Sequence, residues 1–96
     1  MKLLASKTDV LKLSYNEAKL IIASRIKLAR LNAGMSQQEV ADNLHCSQST
    51  ISRLEKGEIQ PDFLQIRVMS GLFNVSILWL GGYPSFVVNS AQSSPF

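Results

Sequence analysis

The stretch that most constrains this chain is residues 36–57, SQQEVADNLHCSQSTISRLEKG. It holds two helix starts so close together that only two short helices and a tight turn fit between Ser36 and Gly57. Ser36 with Glu39 three residues on is a capping box, and Met35 with Val40 stands at the two positions of a hydrophobic staple. Ser47 caps the second helix through a backbone N–H of Ser49 or Thr50. Val40 and Leu44 share a face of the first helix, and Ile51 and Leu54 face back from the second. Ala41 is small where the two axes come nearest, and Cys46 serves as a small buried hydrophobe in the turn. What remains outward on the second helix is polar and uncommitted: Gln48, Ser49, Ser52 and Arg53.

The flanks supply the rest of a core. Ser14 with Glu17 is another capping box, which predicts a helix running to Ala33 with Gly34 after its end. Ala18, Ile21, Ile22, Ile26 and Ala29 form its inward stripe. Beyond Gly57, Asp62 with Gln65 starts a further helix whose Phe63, Ile66, Met69 and Phe73 close the core, with Asn74 taking the left-handed end. Ser76 opens a short apolar turn of helix, Ile77, Leu78, Trp79 and Leu80, ended by Gly81 and Gly82. That turn is apolar on every side, so part of it must face something other than water. Ser85, Phe86, Val87 and Val88 have strand-like composition and could pair with a partner chain or with the segment 10–13. Leu3, Leu4, Val10, Leu11 and Leu13 allow a short strand or a turn of helix, and periodicity does not decide between them. Three parts result: an extension at 1–13, a domain at 14–82, and a polar-ended tail at 83–96.

Composition narrows the function classes. Ninety-six residues, 46% of them hydrophobic, suffice for one compact core and no second domain. A formal charge of +3 permits nucleic-acid binding without demanding it. The lone Cys46 excludes an internal disulfide and fits a reducing cytosol. The apolar runs are short and broken by charge, so no membrane span or signal peptide is expected. His45 beside Cys46 lacks the further ligands that zinc needs, so no metal or cofactor is expected. With no glycine-rich phosphate loop or nucleophile elbow either, the residues define no enzyme.

The run MSQQEVADNLHCSQSTISRLEKGEIQP, within about residues 25–80, resembles the helix-turn-helix domain of the phage repressor and Cro-like family of bacterial and phage transcription regulators. The resemblance implies an all-α, compact five-helix domain acting in the cytoplasm of a bacterial or phage-infected cell. It implies that the helix from Ser47 to Lys56 lies in the major groove of double-stranded DNA. Gln48, Ser49 and Arg53 are then the leading base contacts: Gln48 suits adenine and Arg53 suits guanine. Ser52 suits either, and Thr50 is a weaker candidate. Gln37 matches a phosphate-gripping position, and Lys56, Arg25 and Lys27 add attraction to the backbone. The resemblance also implies a partly buried ion pair between Arg30 and Glu55.

Two features depart from the family pattern. His45 stands where glycine is common in the central turn, and Glu58, Gln60 and Asp62 follow the second helix where relatives often carry basic residues. A single domain reads few base pairs, so the expected regulator is a homodimeric repressor of a palindromic operator. Its dimer contact is expected at Ile77, Leu78, Trp79, Leu80, Phe86 and Val88. An antitoxin, a restriction-modification controller, or a protein-interaction module that keeps the fold without reading DNA are the competing readings. A toxin, for the first of these, or an antirepressor would be the protein partner.

Overall fold

The computed structural model describes residues 14–84 together with Val87 and Val88. These form five α-helices: α1 (Tyr15–Asn32), α2 (Gln37–Leu44), α3 (Gln48–Glu55), α4 (Phe63–Phe73) and α5 (Ile77–Leu80). The fold is all-α, and no strand occurs among the described residues. No helix there is long and apolar enough to cross a membrane.

The helix starts follow from local chemistry. Ser14, Ser36 and Asp62 each accept the backbone N–H of the residue three positions on, and Glu17, Glu39 and Gln65 return the bond to the cap's own N–H. Ser47 accepts from the Thr50 amide at 3.2 Å, and Ser76 accepts from the Leu78 and Trp79 amides. These side chains satisfy amides that helical geometry leaves without partners.

The ends share one device. Residues Gly34, His45, Gly57, Asn74 and Gly82 all have φ between 54° and 92°. The N–H after each reaches back to a carbonyl in the last turn, as Cys46 does to Ala41 and Glu58 to Arg53. His45 and Asn74 perform this without glycine, at φ 55° and 54°. Both residue types tolerate the left-handed region better than most.

The core is one cluster. Ile26 and Ala29 of α1, Val40 and Ala41 of α2, Ile51 and Leu54 of α3, Ile66, Met69 and Phe73 of α4, and Leu80 of α5 are buried together. Helix α3 packs on α1 and α2, α4 packs on α1, α2 and α5, and α5 also meets α1. Helix α3 is therefore braced from behind by two helices, with its polar side outward.

Some expectations are corrected. Phe63 is 72% exposed, because it is the first residue of α4 and stands outside the contact that Ile66 and Met69 make with the core. On α1, Ala23 and Arg30 are buried, while Leu20, Leu28 and Leu31 are exposed. Val87 and Val88 are helical rather than extended, both amides donating to the Pro84 carbonyl. Proline ahead of them has no N–H to give a ladder, and its carbonyl starts a helical turn instead. Ser85, Phe86 and residues 1–13 lie outside the described residues.

Candidate nucleic-acid interface

Helix α3 presents Gln48, Ser49 and Arg53 as exposed residues, while Ser52 is half-buried. Thr50 is largely committed to the cap, since its amide and hydroxyl both bond the Ser47 hydroxyl, at 3.2 and 3.0 Å. The Ser49 hydroxyl also meets that of Ser47, at 2.9 Å. An exposed helix start that carries polar side chains of this kind suits the floor of a groove.

Behind this face runs a continuous polar chain. Arg30 donates to Glu55 through two nitrogens, Nε to Oε2 at 2.6 Å and Nη2 to Oε1 at 3.0 Å, and through Nη1 to the Met35 carbonyl at 2.9 Å. The two side chains are 10% and 3% exposed. Bonding to the Glu55 carboxylate raises the Arg30 pKa above its ordinary value, against the opposing effect of burial. Gln37 Nε2 donates to the same Glu55 Oε1 at 3.0 Å, and Gln37 Oε1 accepts from Gln48 Nε2. A buried ion pair on α1 and α3 thus leads, through α2, to the first residue of α3. Among the described residues no buried side-chain nitrogen or oxygen lacks a partner.

The remaining cationic candidates divide. Lys56 is exposed at the end of α3, and Lys27 is exposed on α1. Arg25 is held against α5: its Nη1 donates to the Trp79 and Tyr83 carbonyls, both at 2.7 Å, and its guanidinium stacks over the Trp79 ring at 5.0 Å. Burial lowers its pKa. One nitrogen of the guanidinium thus caps the end of α5.

The residues expected at a dimer contact differ in exposure. Leu80 is fully buried and Val88 is 6% exposed, so both belong to the protomer's own packing. Ile77, Leu78 and Trp79 remain half-buried, and Tyr83 beside them is 45% exposed, a residue that sequence reasoning overlooked. Cys46 is half-buried against the core, and burial pushes its thiol pKa up. Among the described residues no three His, Cys, Asp or Glu side chains group to hold a metal ion.

Sequence reasoning marked Glu58 as an acid after the second helix and missed its pairing with Arg53. Its Oε1 lies 3.6 Å from Arg53 Nε, in a pair whose side chains are 53% and 57% exposed. The signal was present in Gly57, because a left-handed residue after a helix returns the next residue toward the last turn.

Two short helices joined by a left-handed turn, the second braced by a helix on either side and polar outward, define a helix-turn-helix. The helix-turn-helix family model matches residues 26–80, and the chain belongs to that family, in its phage repressor and Cro-like branch. It is similar to the HTH-type transcriptional regulator ImmR of Bacillus subtilis (strain 168), 34% identical over 61 residues. That match covers 64% of this chain and 48% of ImmR, so the chain spans about half the length of this curated relative. The crystal structure of the hypothetical transcription factor NHTF from Neisseria has a similar fold, with a TM-score of 0.62 over 94% of each chain at 20% identity.

Proposed function

We propose that this chain is a sequence-specific DNA-binding transcription regulator, acting as a homodimeric repressor on a palindromic operator. The observation that carries the reading is the outward face of α3. Gln48, Ser49 and Arg53 have no packing duty there, while Gln37 is fixed between Glu55 and Gln48 at the start of α2. A glutamine suits a bidentate bond to adenine and an arginine suits guanine. Gln37 lies where a phosphate would meet the positive end of α2, and Lys56 supplies a cation at the other end of α3. Arg25 is tied to α5 through its Nη1, so Gln37, Lys56 and Lys27 are the leading sources of backbone attraction.

Selection of random duplexes by the purified protein tests this reading. A palindrome is expected, its half-sites about 34–36 Å apart or a multiple of that. Replacing Gln48 and Arg53 by alanine is expected to abolish the preference. Binding without any enriched sequence would overturn the proposal and favour an interaction module that keeps the fold.

The dimer half of the reading rests on surplus apolar surface around α5, at Ile77, Leu78, Trp79 and Tyr83. In sedimentation at micromolar concentration the free protein is expected as a dimer. Leu78→Asp is expected to weaken it by at least about tenfold, since a charge at the centre of an apolar contact loses its water. A monomeric wild-type protein would remove this contact.

A further inference from the structure

We infer that Glu58 is a positioning residue for base recognition, holding Arg53 so that its terminal edge faces a guanine. This rests on the reading of α3 as the DNA-facing helix. Two independent features place Glu58 there. The backbone does so first: Gly57, buried and at φ 75°, turns the chain so that the Glu58 amide donates to the Arg53 carbonyl at 3.0 Å, while the Gly57 amide donates to Leu54 at 3.2 Å. This pairing of bonds fixes residue 58 over the last turn of α3 whatever its side chain. The carboxylate does so second, with Oε1 3.6 Å from Arg53 Nε.

The side of the guanidinium that Glu58 meets decides the consequence. With the carboxylate on the Nε side, the Nη1 and Nη2 atoms remain free to donate side by side. That pair matches the O6 and N7 acceptors of guanine in the major groove. An unbuttressed arginine on an exposed helix samples many rotamers, and it meets phosphates as readily as base edges. A carboxylate beside it disfavours phosphate approach and leaves an edge suited to neutral base acceptors. Glu58 thereby trades general affinity for discrimination.

The test uses the full chain and the duplex that the wild-type protein selects, compared with the same duplex carrying another base pair in place of the guanine contact. Arg53→Ala locates that guanine. A good bidentate pair discriminates by roughly 5- to 150-fold. Glu58→Gln is expected to lower the ratio by about two- to fivefold, the effect of one exposed ion pair, while affinity for an unrelated duplex stays equal or rises. Glu58→Asp, which keeps the charge on a shorter stem, is expected to retain part of the ratio. Thermal unfolding of Glu58→Gln should match the wild type, since the side chain is exposed. An unchanged guanine ratio in Glu58→Gln, with Arg53→Ala having lost it, overturns the positioning role and leaves the DNA-reading function intact. Failure of the wild-type protein to select any sequence overturns both.

Discussion

Glu55→Ala is expected to cost about 3–5 kcal/mol of folding stability, because it strands the charge of a buried arginine. Arg30 is 8% exposed and spends two of its nitrogens on that carboxylate. The same substitution removes the acceptor of Gln37. A domain of this size holds on the order of 5–10 kcal/mol in total, so the loss is a third or more of it. With about 4–8 °C lost per kcal/mol, the unfolding midpoint should fall by tens of degrees. Replacing Arg30 and Glu55 together by apolar residues of similar volume is expected to restore most of the loss, since no charge is then left alone. Denaturant unfolding of the two single variants and the double variant measures the difference. Near-wild-type stability of Glu55→Ala would mean that the pair is solvated.

Leu80→Ala is expected to cost about 2–5 kcal/mol, the sum of lost transfer energy and the cavity left behind. Leu80 is fully buried in the common cluster with Met69 and Phe73 of α4 and Ile26 of α1. The apolar run of α5 divides by position: Leu80 closes the protomer, while Ile77, Leu78 and Trp79 keep partial exposure. The measurement that separates the two roles is the unfolding midpoint at several protein concentrations. A core role gives a loss that is independent of concentration, whereas an interface role gives one that shrinks as concentration rises. The former is expected for Leu80.

The parts of the fold that were legible in the sequence are those decided within a few residues. Ser14, Ser36 and Asp62 each have their capping partner three positions on, so the helix starts could be placed without knowing the tertiary arrangement. His45 and Asn74 were readable as left-handed ends because few side chains tolerate that backbone. What escaped depended on partners far along the chain. Arg25 looks like any helix-surface cation until α5 returns, 54 residues on, to offer the Trp79 carbonyl and ring. Periodicity put Phe63 in the core, since a stripe at three- and four-residue spacing says nothing of where a neighbouring helix stops. It could not say either which side of an all-apolar turn faces inward, so Leu80 was grouped with Leu78. At the interface, the outward face of α3 was legible, and its polar wiring was not. The bonds of Gln37 to Glu55 and to Gln48 need α2 and α3 already crossed.

That wiring bears on how such a protein acquires new targets. Gln48 at the surface and Arg30 in the interior are linked through Gln37 and Glu55, so the outermost member of the chain is bonded to a part of the scaffold. Exchange of Gln48 also removes the donor to Gln37 Oε1, so on the proposed reading a change of base preference would disturb the residue proposed to meet a phosphate. Arg53 has no such tie to the interior; its carboxylate neighbour lies in an exposed loop. On the proposed reading, base preference can therefore change through Arg53 and Glu58 with less disturbance to the scaffold than through Gln48.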